Sequence, residues 1–220
     1  MKNPRSYDKS EKAAQFTAAM RPFVNQNGMR WAGKCEVFRT DTMETLATCS
    51  PNYQIVQHSE VLERAETALK GLGLKDWNRE VIVFDNGGEM RAKYRLHNGR
   101  TKKDVAVGDA LGFTLELDNG LNGRSTLLAK GGIEALVCSN GMTSVRDATT
   151  GFNRKHNGLL SLDAFKKSIT ELLNVYSKDV LELQRLTKME FNHADGLNMI
   201  DHLIAEVLKT TKNDSVELIG

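Results

Sequence analysis

Residues 136–142 read Leu-Val-Cys-Ser-Asn-Gly-Met, which places a cysteine and a serine where an apolar run meets a turn. A thiolate or alkoxide nucleophile needs a proton acceptor nearby, and His156 is the only histidine close in sequence. No GxSxG elbow is present, and a cysteine behind Ala-Leu-Val reads as a small buried apolar group. Cys138 is therefore expected to be packing, and no catalytic residue is assigned. Metal chemistry has one candidate, the stretch containing His193, Asp195, Asp201 and His202. Asp195 fits better as a helix cap, and the adjacent Asp201 and His202 point in different directions on a helix. HExxH, paired CxxC and EF-hand spacings do not occur, so neither a metal nor another cofactor is expected. The glycines of "GLNGRST" lack phosphate-loop spacing and carry Arg124 at the lysine position, so a hairpin turn is the expectation.

Cations supply the remaining chemistry. In "EMRAKYRLH", Met90, Ala92, Tyr94 and Leu96 alternate with Arg91, Lys93, Arg95 and His97, which on a strand is a cationic strip advancing about 3.3 Å per residue. Arg100, Lys102 and Lys103 follow, Arg124 lies in a turn, and Arg146, Arg154 and Lys155 frame a Gly- and Thr-rich segment read as a mobile surface loop. Such cations neutralise phosphates, with Trp77, Phe84 or Tyr94 available for base stacking if exposed. The competing expectation is that Glu80, Glu89 or Glu116 pairs with them across strands.

The elements that must position these groups are legible from periodicity. Ala13, Phe16, Ala19, Met20 and Phe23 predict a helix over 8–23, ended by Arg21-Pro22. Residues 31–58 predict a hairpin turning at Thr40–Glu44. Ser59 is the expected cap of a helix over about 59–71, whose stripe is Val61, Leu62, Ala65, Leu69 and Leu72. Asp85-Asn86-Gly87-Gly88 predicts a hairpin turn, as does "NGLNGR" between "ALGFTLELD" and "STLLAK". "IEALVCS" predicts one more strand. After Gly158 the period becomes helical: one helix from Ser161 to about Tyr176, another over about 178–190, and a third carrying Ile200, Leu203, Ile204, Val207 and Leu208. The expected class is α+β: an antiparallel β-hairpin core with an N-terminal helix, an inserted helix near 59–71 and a C-terminal helical subdomain. Residues 1–158 form the expected core and 159–220 the helical part, packed on the core or on a partner subunit.

The 220 residues suffice to bury a core without metal or disulfide. Three cysteines at wide spacing suit reduced thiols. The N-terminal stretch lacks an apolar signal region, and no run of about 18 apolar residues occurs, so a cytoplasmic chain without membrane contact is expected. Net charge is +2, with a mildly basic body and an acidic tail: residues 1–160 hold 23 Lys/Arg and 18 Asp/Glu, whereas 161–220 hold 7 and 10.

Three segments carry a resemblance, "FRTDTMETLATCSPNYQIVQHSEVLERAETAL", "VGDALGFTLELDNGLNGRSTLLAKGGIEALVCSNGM" and "NRKHNGLLSLDAF", above all the Arg39-Thr40-Asp41 turn, the "YQIVQH" run leading into a helix and the "VCSNG" strand end. With their flanks, over about 36–208, they are similar to the phage/plasmid-like proteins grouped as domain of unknown function 932. The resemblance implies carriage on mobile elements and brings no activity and no catalytic residues. The order of elements is also compatible, at the level of fold, with single-strand annealing proteins of the RecT and Redβ type. Together these readings predict a non-enzymatic DNA-metabolism protein that binds single-stranded DNA, as a homo-oligomer that promotes annealing or recombination. The alternative from a different class is a protein-interaction module that blocks or redirects a host factor through its helical tail.

Overall fold

The structure, a computed structural model, describes residues 7–9, 11–96, 101–104, 110–136, 143–154, 162–190, 194–198 and 200–202. In chain order the strands and helices are β1 (Tyr7–Asp8), β2 (Ala18–Val24), β3 (Arg30–Arg39), β4 (Thr45–Cys49), α1 (His58–Gly71), β5 (Asn78–Phe84), β6 (Glu89–Leu96), β7 (Lys103–Asp104), β8 (Ala110–Gly120), β9 (Leu127–Leu136), β10 (Thr143–Arg154) and α2 (Leu162–Leu186). Single 3-10 turns occupy Glu11–Ala14 and Asp85–Gly87. The class is α+β. The chain divides into two units, residues 1–183 and 184–220. In the second, residues 194–198 and 200–202 are helical.

Within the first unit, the larger sheet runs β1-β5-β6-β8-β9-β10, with β7 pairing β8 in line with β6, and every pairing is antiparallel. Period-two alternation gives this sheet one apolar face. Val81, Met90, Tyr94, Phe113, Leu115 and Ala129 belong to one buried cluster with Val61, Leu62 and Leu69 of α1 and Phe165, Ile169 and Leu172 of α2. Gly131 makes the helix contact close: a Cβ there would lie 2.9 Å from Leu172 Cβ and 3.0 Å from the Phe113 ring. Tyr176 of α2 packs edge-on to Phe113, and its hydroxyl donates to the Thr101 carbonyl.

Burial pushes the Tyr176 phenol up from 10.0 to about 12. Its folded-state value is raised, so its contribution to stability is whole below pH 10 and is lost as pH rises through 12, because the unfolded chain ionises first. Urea midpoints of wild type and Tyr176→Phe are expected to converge as pH rises from about 10 towards 12, after a neutral-pH cost to the variant of about 1 kcal/mol for the lost hydrogen bond. A constant gap across that window refutes this account of the α2 contact.

The smaller sheet, β2-β3-β4, covers a second cluster of Phe16, Ala18, Val37, Cys49 and Leu121. Here the structure corrects the sequence. The helix expected over 8–23 is a single 3-10 turn at Glu11–Ala14 followed by strand β2. The spacing of Ala13, Phe16, Ala19 and Met20 satisfies a helix, but Ala18 to Pro22 gain a complete ladder against Arg39 to Cys35. β2 is an edge strand, where a proline without N–H is tolerated.

Further differences are local. The α1 cap is Gln57, not Ser59, which falls inside the helix. The strands expected at 125–130 and 133–139 are joined, over the described residues, as the one strand Leu127–Leu136 through Gly131-Gly132. Two helices expected over 161–190 are one 25-residue helix. Of the segment read as a mobile loop over 144–158, residues 144–154 belong to β10, paired with β9, and the rest lies outside the described residues. Register shifts between Arg146 and Thr149 and between Thr150 and Phe152 break its period, which is why alternation does not reveal it.

Candidate nucleic-acid interface

Arg91, Lys93 and Arg95 do share the sheet face opposite the helices, as alternation requires, and that face neutralises itself. Register places Glu116 beside Lys93 and Asp118 beside Arg91. Arg91 Nε donates to Asp118 at 2.7 Å and lies 3.4 Å from Glu116. Arg95 contacts Glu80 at 3.1 Å and Glu134 at 3.0 Å, and Lys93 Nζ lies 3.2 Å from the same Glu134 oxygen. Glu134 is wholly buried and also accepts from Thr114 Oγ1 at 2.7 Å. Three cations thus face four carboxylates. The competing expectation of cross-strand pairing holds for Glu80 and Glu116; Glu89 accepts from Asn122 and Ser125 and adds to the negative field on Arg91.

The other expected cations separate into groups. Lys102 and Lys103 are exposed and make no ion pair among the described residues. Arg124 is exposed in the β8–β9 turn, where Asn122 Oδ1 accepts from its backbone N–H at 3.0 Å. Arg91 and Arg124 line one cleft of about 490 Å³, together with Glu89, Asp118 and Ser125. Arg146 and Arg154 lie on the backbone of β10, whereas Arg100, Lys155, Cys138, His156 and His193 fall outside the described residues. Asp195, Asp201 and His202 are exposed. Of the expected stacking groups, Tyr94 is buried and meets Trp77 edge-on at 6.2 Å, and Trp77 and Phe84 are half-buried.

An open cationic and aromatic surface exists elsewhere, on the β2–β3 hairpin. β4 pairs only with Cys35 to Phe38, so Arg30 to Lys34 continue beyond it as a two-stranded ribbon with β2. At its tip the Asn25 side chain accepts from the backbone N–H groups of Asn27 and Met29, each at 3.0 Å. Between the pairs Pro22–Cys35 and Val24–Arg30 the register shifts, leaving Phe23 opposite a bulge over 31–34. Gly33 supplies the positive φ, +78°, that this irregularity uses. Bulges re-aim side chains, and here Trp31 is 62 % exposed, held at one side by the Phe23 ring with centroids 6.0 Å apart. Met29 is 60 % exposed beside it in sequence.

Charge on the ribbon is one-sided. Residues 21–34 contain Arg21, Arg30 and Lys34 and no carboxylate. Arg21 is committed: it donates to Glu36 at 2.6 Å, which holds the Glu36 carboxyl below its usual range, and it lies 4.4 Å over the Phe38 ring. Arg30 and Lys34 are exposed and make no ion pair among the described residues. A search for alternating cations on one strand passes over this site. The signal that could find it is a glycine inside a strand pattern next to tryptophan, in a stretch without acids.

The segments that carry the family resemblance have structural work. Arg39 donates through Nε and Nη2 to both oxygens of Asp41, at 3.0 and 2.7 Å, and through Nη1 to the Asn86 carbonyl at 2.8 Å. The pairing holds the Asp41 carboxyl below its usual range. Asn86 in turn donates to Glu44 at 2.7 Å, so the cleft of about 320 Å³ lined by Arg39, Glu44 and Asn86 has those polar groups bonded to each other. Tyr53 donates to the Gly120 carbonyl at 3.0 Å, and the Gln57 amide brackets Ala18 by accepting from its N–H at 2.9 Å and donating to its carbonyl at 2.8 Å. "VCSNG" lies outside the described residues.

Fold and site together define a two-sheet α+β protein whose charged sheet face is internally paired and whose small sheet extends an exposed cationic-aromatic ribbon. The chain belongs to the family described as Domain of unknown function (DUF932), whose model matches residues 45–217. Neither the curated proteins nor the solved structures yield a match to it. No described helix is long and apolar enough to cross a membrane.

Proposed function

We propose that this chain is a non-enzymatic nucleic-acid-binding protein of mobile-element DNA metabolism that takes single-stranded DNA on its β2–β3 ribbon. The observation that carries the reading is Trp31, exposed on a bulge between Arg30 and Lys34 in a segment without carboxylates. Unpaired bases stack on an exposed ring whatever their identity, and flanking cations neutralise the adjoining phosphates. Lys102, Lys103 and Arg124, which make no ion pair among the described residues, are further exposed cations on the same unit. The Arg91, Lys93 and Arg95 face contributes less, because each cation there already has a carboxylate. Annealing or recombination, with assembly into homo-oligomers, follows as the activity such a surface serves.

Anisotropy of a labelled unstructured oligodeoxythymidine, titrated at two salt concentrations, tests this. Trp31→Ala is expected to weaken binding roughly 5- to 100-fold, the equivalent of one stacked base. The double charge reversal Arg30→Glu with Lys34→Glu is expected to flatten the logarithmic salt slope by about 0.7 for each phosphate no longer neutralised. Unchanged affinity in both variants rejects the ribbon as the site.

A second reading has its own observation: Leu186, Met189, Leu197 and Ile200 of the second unit are exposed apolar side chains. That composition suits a helical tail that engages a host protein. Retention of a host protein by the full chain but not by a variant with these four residues changed to serine, together with absence of DNA binding, selects it.

A further inference from the structure

Cys35 and Cys49 are 14 positions apart in sequence and directly opposite each other in the β3–β4 ladder. Both pack with the small-sheet cluster built on Phe16, Ala18 and Val37, so their side chains leave the same face. Opposed residues of antiparallel strands hold their Cα atoms about 4.5 or 5.5 Å apart, within the roughly 4.4–6.8 Å that a disulfide spans. Both thiols are free. Access is graded: Cys35 is half-buried and Cys49 buried. Burial pushes the Cys49 thiol up and the neighbouring Cys35 adds to this, while Lys34 pulls it down.

We propose that Cys35 and Cys49 are a reversible disulfide modification site whose co-reactant is a small-molecule disulfide of the glutathione class. The more accessible Cys35, as thiolate, attacks the sulfur–sulfur bond of oxidised glutathione. One glutathione leaves as thiolate and takes up a proton, and Cys35 is held as a mixed disulfide. Cys49, deprotonated in turn, attacks the Cys35 sulfur and expels the second glutathione. Two protein thiols are oxidised and one glutathione disulfide is reduced to two thiols, so the exchange balances without another oxidant. The bond ties β3 to β4 at the last pair before β3 runs on into the ribbon, fixing the base of that projection. This chemistry is independent of what the ribbon binds.

The test uses the full chain with Cys138→Ser, which removes the third thiol, in buffers of increasing oxidised-to-reduced glutathione ratio. After quenching by alkylation, intact mass and peptide mapping follow. The expected product has lost two hydrogens, contains a Cys35–Cys49 linked peptide and reverts with dithiothreitol. Adding Cys49→Ser is expected to arrest the protein as a glutathione adduct at Cys35. Two results overturn the proposal: a persistent Cys35 adduct in protein that retains Cys49, or complete alkylation of both thiols after oxidising treatment. Should the Cys49→Ser protein fail to fold, the peptide map of the parent decides alone.

Discussion

Glu134→Ala is expected to destabilise the first unit by about 3 kcal/mol, whereas Arg91→Ala, on the same sheet face, costs at most about 1 kcal/mol. Glu134 is fully buried, and its carboxylate meets Arg95, Lys93 and the Thr114 hydroxyl together. Removing one partner of a buried pair leaves the others desolvated and uncompensated, a loss of about 3–5 kcal/mol. The lower end applies because Lys93 and Arg95 retain 19 and 26 % exposure and Arg95 keeps Glu80. Arg91 is 49 % exposed and its partners Asp118 and Glu116 are 22 and 30 % exposed, so solvent screens these pairs and they contribute little. Urea unfolding at a constant slope reads both values. The contrast bears on function, since a face built around a buried acid is a stabilising network before it is a ligand surface. Glu134→Ala within about 1 kcal/mol of wild type, combined with tighter DNA binding, would return the nucleic-acid site to this face.

How much of this is legible in the sequence follows from where period and context agree. α1 and the β5–β6 hairpin are readable because one apolar stripe and one turn each admit a single solution, and Leu111 to Leu117 alternate in β8 as written. β2 reads wrongly because five apolar residues suit a helix locally, and only the β3 ladder and the Gln57 clamp on Ala18 favour the strand. The cationic face of β6 is readable as a face, yet its charge is not. Glu116 and Asp118 come from β8, Glu80 from β5 and Glu134 from β9, and which carboxylate stands beside which cation is set by register. Trp31 shows the same limit. A tryptophan in a strand-like run is ordinarily core, and here the bulge opposite Phe23 turns it outward.

His58→Ala is expected to cost about 3 kcal/mol, combining a cavity with two stranded polar groups. The ring is 1 % exposed, with Nε2 2.9 Å from the Gly87 carbonyl and Nδ1 2.9 Å from Asn119 Nδ2. A carbonyl only accepts and an amide nitrogen only donates, so the ring proton lies on Nε2 and Nδ1 is the acceptor. Asn119 donates also to the Val56 carbonyl at 3.0 Å, while its buried Oδ1 has no hydrogen-bond partner among the described residues. Deleting the imidazole therefore strands the Gly87 carbonyl and one Asn119 proton in a network already short of one partner. It also empties the space against the Phe16 ring, which meets His58 edge-on at 5.6 Å and carries Arg39 4.1 Å above it. Gln57→Ala, which loses both bonds to Ala18, is expected to cost about 2 kcal/mol by the same reasoning. A loss under about 1 kcal/mol for His58→Ala by urea denaturation would show that water or a shifted Asn119 replaces the ring, and that this segment does not hold the two sheets together. With the expected loss, the "YQIVQH" segment is architecture, and a loss of function in its variants is read against their lowered stability before it is assigned to a binding site.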